Sequence, residues 1–229
     1  MINTRNLGIS VCWLVLWAPF LFAQDLSRYR EFQLGMNLQS VTEKTDARPS
    51  EVKLLHQRPA VIQELGWRPQ RGLAHLSDVE SVNEVLFNFY NGELFRMVVS
   101  YDQQRTEGLT DQDMLEAISA TYGIATKPAA TTILFSSSYI YNNSEKVIAR
   151  WEDTQSSVSL FRSSSQPRFG ILILSKRVDA LAQAAIVKAI RLDEQEAPRR
   201  EVARQKKEGE GTRAAQEKAR PTNKADFRP

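Results

Sequence analysis

The stretch VLFNFYNGELFRMVVSY, Val85 to Tyr101, constrains the fold more than any other part of the chain. Val85, Phe87 and Phe89 alternate inward, and Asn91-Gly92 supplies the two positive-φ residues that a two-residue hairpin turn demands. Phe95, Met97, Val99 and Tyr101 alternate on the return. The chain is therefore committed to antiparallel sheet, and the other strand signals are read against this hairpin.

Val52 to Leu55 and Ala60 to Trp67 read as strands separated by a turn at Arg58-Pro59. Further on, Ile133 to Phe135, Tyr139 to Tyr141, Val147 to Trp151, Val158 to Arg162 and Phe169 to Ser175 form a second run of short strands. Val147, Ala149 and Trp151 point one way, while the unbroken apolar run FGILIL predicts a central strand buried on both faces. Ser163 to Arg168, with Pro167, reads as a loop.

Each run of strands is preceded by a helix start of one pattern. Gly35-Met36-Asn37 leads into Leu38 to Val41, and Gly108-Leu109-Thr110 leads into Asp111 to Met114. Asn37 and Thr110 are placed to accept a backbone hydrogen bond at the helix N-terminus, and Asp113 to close a capping box. Met36 or Leu109 is positioned to staple the entering chain to its helix. The first helix turns Leu38 and Val41 inward and stops near Thr45 to Ala47, before Pro49. The second keeps Met114, Leu115, Ile118 and Tyr122 at helical spacing up to Gly123. A last helix begins near Val178 with Leu181, Ala182, Ala185, Ile186, Ala189 and Ile190 as an apolar stripe, and Pro198 marks a break or kink.

The fold expected from these elements is α+β: two helix-plus-antiparallel-sheet modules in tandem, residues 24–102 and 103–197, the second including the last helix. Residues 198–229 hold almost no large apolar side chain and mix both charge signs, so they are expected to be disordered, with at most a transient helix. That tail also carries the charge. Between Glu194 and Pro229 ten Lys or Arg stand against seven Asp or Glu, which accounts for the whole formal +3 of the chain. The remainder is balanced and gives no electrostatic footing for nucleic acid, whereas the tail suits an anionic surface.

Residues 1–23 read as a signal peptide: Arg5, an apolar stretch from Leu7 to Phe22, and Ala23 ahead of Gln24-Asp25. The expected location is periplasmic or secreted; the alternative is an uncleaved anchor, since the stretch lies at the lower edge of spanning length. Cys12, the single cysteine, falls inside this segment, so a mature chain from Gln24 has no thiol for a disulfide, a nucleophile or a metal site.

The recurrence of Gly-apolar-cap before a helix and several strands, firmest over Gly35 to Val41 and Gly108 to Ile118, resembles two families. These are the small outer-membrane assembly lipoproteins of the SmpA/OmlA type and the tandem-repeat β-lactamase inhibitor proteins (BLIP-like). The resemblance implies helices packed on a small antiparallel sheet and a scaffold that binds proteins or serves in the envelope. The chain departs from the lipoproteins in having no cysteine at its new N-terminus and no Leu-Gly-x-Pro after Val41, so no lipid anchor is expected and no family binding residue carries over.

Catalytic patterns are not found. His56 and His75 sit in no metal pair, no G-x-S-x-G surrounds Ser136–Ser138 or Ser163–Ser165, and no phosphate-binding glycine loop occurs, so no catalytic, metal or cofactor residue is assigned. Asp111 and Asp113 are explained by helix capping. Trp67, Tyr90, Tyr139, Tyr141 and Trp151 remain: either core positions of the two halves, or aromatic anchors for a partner on an exposed sheet face. The functional expectation is an exported, non-catalytic interaction or envelope-associated module whose partner is another envelope or secreted protein. The alternative is a secreted hydrolase using Glu152 and Asp153, which follow Trp151 at a strand end.

Overall fold

The computed structural model of the protein describes residues 25–69, 81–125, 127–128, 132–134, 144–163, 168–226 and 228. Two two-residue strands, β1 (Arg28–Tyr29) and β2 (Phe32–Gln33), pair ahead of α1 (Leu38–Thr45). A 3₁₀ turn at Pro49–Glu51 leads to β3 (Lys53–His56), β4 (Ile62–Trp67), β5 (Val82–Tyr90) and β6 (Glu93–Tyr101). Then come α2 (Asp111–Tyr122), β7 (Lys127–Pro128), β8 (Thr132–Leu134), β9 (Ser144–Glu152), β10 (Ser156–Arg162) and β11 (Phe169–Ser175). The last element is α3 (Lys176–Asp226).

The class is α+β, and β3 to β11 form one nine-stranded antiparallel sheet in the order β3-β4-β5-β6-β11-β10-β9-β7, with β8 also on β9. A single sheet thus runs across the 102/103 boundary, and its middle is the β6–β11 pair, in register from Gly170↔Ser100 to Leu174↔Arg96. β11 lies between β6 and β10, as a strand apolar on both faces requires: Ile171 and Ile173 are fully buried and Leu172 is 4% exposed.

Both short helices pack on one face. Val41 of α1 and Met114, Ile118 and Tyr122 of α2 share a core with Val85, Phe87, Phe89, Met97, Val99, Trp151, Leu160 and Ile171. α3 takes the other face, where Val178 and Ala182 meet Ile62 and Phe95. The helix starts follow the capping logic: the Asn37 side chain accepts from Ser40 N at 2.8 Å, and Thr110 with Asp113 forms the reciprocal box. Gly35 and Gly108 have φ of 90° and 81°, so each helix is entered through a left-handed glycine. The staple differs between the two. Met36 packs against the core, whereas Leu109 is 40% exposed and belongs to neither buried cluster.

Within the hairpin, Asn91 and Gly92 have φ of 50° and 83°, as the turn demands. Phe95 departs from the expected alternation. The register passes from Asn88↔Arg96 to Phe89↔Leu94, so Phe95 is the extra residue of a bulge. Leu94 takes the inward place and Phe95 turns under α3.

The end of the chain differs from expectation in kind: α3 continues as one helix of 51 residues through Pro198 and Pro221 to Asp226. Good helix formers dominate the segment, and side chains tie across the proline, with Arg200 bonded to Asp193 and Glu196. The apolar stripe of α3 is also narrower than its sequence suggests. Val178, Ala182, Ala185 and Ala189 are buried, whereas Leu181 and Ile190 are nearly half exposed. Small residues on the contact line let the helix backbone lie close to the sheet.

Candidate functional site

Of the predicted aromatic residues, the three that are described, Trp67, Tyr90 and Trp151, are not gathered into one patch. Trp151 is 1% exposed, and its indole nitrogen donates to the Gly123 carbonyl at 2.7 Å, tying β9 to the end of α2. Trp67 is half-buried on the same face, edge-on to Phe32 with ring centroids 5.5 Å apart. It stands five strands from Trp151, about 24 Å at ordinary strand spacing. Tyr90 lies on the opposite face, against the Ile62, Phe95 and Val178 group. Tyr139 and Tyr141 lie outside the described residues. Trp151 is therefore a core residue, and Trp67 and Tyr90 cannot act on one partner surface with it.

Glu152 and Asp153 are engaged structurally. Asp153 Oδ1 accepts from the amides of Gln155 and Ser156 at 2.7 and 2.6 Å, which closes the β9–β10 turn. Glu152 pairs with Lys176 at 3.1 Å, and the same ammonium donates to the Asp153 carbonyl oxygen at 2.6 Å. The two acids thus fasten the start of α3 to this turn. Among the described residues no group of three or more His, Cys, Asp or Glu is placed to hold a metal ion.

Two other features have the geometry of sites. The first is the arm formed by the outer part of α3. Every residue from 197 to 226 is exposed, a length of about 45 Å at 1.5 Å per residue. Ion pairs one turn apart run along it: Glu201–Arg204 at 2.9 Å, Arg204–Glu208 and Lys206–Glu210 at 3.9 Å, and Arg213–Glu217 at 3.1 Å. At its base the Arg58 guanidinium donates to Glu196 at 2.6 Å, while Arg200 bonds Glu196 at 2.8 Å and Asp193 at 3.0 Å. Hydrogen bonds from Arg58 and then Arg200 hold the Glu196 carboxyl down at about 2. This clip joins the turn after β3 to the point where α3 leaves the body.

The second feature is a cleft of about 470 Å³ where the β1–β2 hairpin, the last turn of α2 and the end of β6 meet. Tyr29, Tyr101 and Tyr122 line it with Arg28, Arg30 and Asp25. Tyr122 donates its hydroxyl to the Arg28 carbonyl at 2.8 Å, and the Arg30 guanidinium sits 5.4 Å from the centre of the Tyr29 ring. Burial pushes the hydroxyls of Tyr101 and Tyr122 above the ordinary phenol range, so both stay protonated. Sequence reading missed this cleft because its three tyrosines come from a two-residue strand, a strand end and a helix end, and no local spacing links them.

Compared with known proteins, the chain matches no family model, no curated protein and no solved structure.

Proposed function

We propose that the protein is an exported, non-catalytic interaction module whose helical arm reaches a partner beyond the body. The observation that carries this reading is the exposure of the arm from residue 197 to residue 226. Most helices are held by packing an apolar face. Among the described residues the arm buries no side chain against the body and is laced by charge pairs one turn apart, so its use lies in what it meets outside. Between Arg199 and Asp226 nine Lys or Arg stand against five Asp or Glu. The partner is accordingly an envelope or secreted protein that presents acidic groups, or an anionic surface of the envelope.

Export rests on the first 23 residues read as a signal peptide. Production of the whole gene product, fractionation and N-terminal sequencing test it: a soluble chain starting at Gln24 fits, and a membrane-bound chain that keeps Met1 points to an anchor instead.

The same reading takes the chain as a tandem repeat on a scaffold like that of the assembly lipoproteins and the inhibitor proteins. In support, strand order runs inward from β3 to β6 and outward again from β11 to β7. Trp67 and Trp151 occupy the second strand from either edge and face the same core.

The deciding experiment compares the mature chain with a version ending at Ala197, using cross-linked capture from envelope extract and co-sedimentation with anionic vesicles at low salt. The reading expects the truncated chain to lose capture or sedimentation while keeping its melting midpoint. If the shortened chain captures the same partners as the full one, the arm is not the interacting element.

A further inference from the structure

We propose that the arm is a one-sided basic rod that lies lengthwise on an anionic lipid surface, with the line Arg199, Lys206, Arg213 and Arg220 turned to the headgroups. This inference rests on the reading of the arm as the interacting element and names what the arm meets.

The four cations recur every seventh residue along α3. At 3.6 residues per turn, each stands only about 20° round the axis from the one before and about 10.5 Å farther along it. Together they form a line about 32 Å long on one side of the helix. Lys224, four residues beyond Arg220, falls in the same sector. The acids Glu194, Glu201 and Glu208 also recur every seventh residue, but about 130° round the axis from the cation line. Arg204 stands on that far side with them and pairs with Glu201 at 2.9 Å and Glu208 at 3.9 Å. Among the described residues Arg199, Arg220 and Lys224 make no ion pair. Lys206 and Arg213 reach only the flanking Glu210 at 3.9 Å and Glu217 at 3.1 Å, and both partners of each pair are exposed, where an ion pair holds its cation weakly.

This sidedness selects a plane. A helix lying on a charged plane brings one side within a Debye length, about 8 Å at physiological salt, and keeps its opposite side a helix diameter of about 10–12 Å away, where the field is largely screened. The cation line is then attracted, and the Glu201–Arg204–Glu208 side feels little repulsion. The groove of a duplex nucleic acid, about 12 Å wide, would instead enclose the arm and set those acids against phosphates. A folded acidic protein would call for large apolar or aromatic anchors, and Val202 is the only large apolar side chain of the arm. Val202 lies between Arg199 and Lys206 in the cation sector and is 67% exposed, placed to enter the headgroup boundary as the cations settle on it.

The test is co-sedimentation of the mature chain with vesicles of phosphatidylglycerol and phosphatidylcholine, and with vesicles of phosphatidylcholine alone, at low and physiological salt. Two triple variants remove the same charge from the same stretch of helix. Lys206→Gln, Arg213→Gln and Arg220→Gln take it from the line; Arg204→Gln, Lys207→Gln and Lys218→Gln take it from the other sides. Glutamine is a good helix former, and circular dichroism checks that the arm stays helical. Each Lys or Arg beside an anionic membrane strengthens binding by about fivefold. Wild type should therefore bind the mixed vesicles and not the neutral ones, and the line triple should bind about a hundredfold more weakly, while the other triple loses less than about tenfold. Equal losses in the two triples overturn the proposal, as do equal binding to neutral vesicles and tighter binding to a duplex oligonucleotide than to mixed vesicles. If vesicle binding fails while the arm still captures an envelope protein, only the lipid partner is refuted; if truncation after Ala197 changes neither, the arm is not the interacting element and both readings fall.

Discussion

Substituting Gly170 by alanine tests the packing at the centre of the sheet. Gly170 pairs with Phe161 across β10–β11 and with Ser100 across β6–β11. A Cβ on Gly170 would stand 2.7 Å from the Val99 carbonyl oxygen, 2.9 Å from Phe161 Cε2 and closer still to Phe161 Cζ. Ordinary contacts need about 3.5 Å, so the shortfall is about 0.6 Å or more on both sides. The Phe161 ring, 6% exposed, has little room to turn away. The Val99 carbonyl belongs to a strand paired on both edges and cannot retreat without loosening the β6–β11 ladder. Overpacking costs about 1–3 kcal/mol, and a backbone neighbour puts this case at the upper end, about 2–3 kcal/mol. For a chain of this size that lowers the melting midpoint by roughly 4–12 °C. Guanidinium unfolding of wild type, Gly170→Ala, Phe161→Ala and the double variant is the assay. The midpoint should fall with the slope unchanged, and the double variant should fall short of additivity by about 0.5–3 kcal/mol. A Gly170→Ala protein within about 0.5 kcal/mol of wild type would show that the ring and the carbonyl are not where this argument needs them.

Arg96 and Asp179, 10% and 17% exposed, form a two-nitrogen pair between β6 and the first turn of α3. Asp179→Asn or Arg96→Met alone should cost about 3 kcal/mol by leaving a buried charge without its partner, while the apolar double variant Arg96→Met with Asp179→Leu recovers much of the loss in denaturant unfolding. Glu196 should titrate near 2, and because its folded value lies below the ordinary 4.5, its clip to Arg58 is intact above about pH 4.5 and is lost as pH falls towards 2. Carboxyl NMR of Glu196 and amide exchange at Gln57 and Arg58 read this out; a midpoint near 4.5 would remove the clip. Gly209 and Gly211 lie inside the arm with open space where a Cβ would go, so the double alanine variant should stabilise the arm by about 1 kcal/mol per site and deepen helical circular dichroism without altering the melt of the body.

What the sequence made legible follows from how local each determinant is. The hairpin turn at Asn91-Gly92 and the caps at Asn37 and Thr110 are decided within four residues, and all three form where the spacing places them. The bulge at Phe95 was hidden because one extra residue does not disturb an apolar run; only pairing with Phe89 and Asn88 reveals it. The strands β1 and β2 leave no sequence signal because two residues carry no periodicity, and their turn uses Arg30 at φ 53°, a position where sequence gives no warning. The arm is hard to read from sequence for a related reason. Lack of apolar residues predicts no packed core, but it does not forbid a helix whose pairs lie one turn apart along its own surface.

The continuity of the sheet has a physical cause that module-by-module reading leaves out. Each half of the chain ends on its most apolar strand, β6 in the first and β11 in the second. A final strand flanked on one side only would expose a row of unpaired amides and carbonyls beside buried apolar side chains, the arrangement most open to unwanted pairing. β5 covers one edge of β6, and β10 covers one edge of β11. Pairing β6 with β11 closes both remaining edges at once and places Met97, Val99, Ile171 and Ile173 in a common core. The outer positions fall instead to β3 and to β7 and β8, short strands of four, two and three residues that offer little edge to a neighbour. Two helix-led halves therefore gain more from sharing their last strands than from folding apart, and the tyrosine cleft is a product of that union: Tyr101 at the end of β6 meets Tyr122 of α2 and Ile171 of β11 across it.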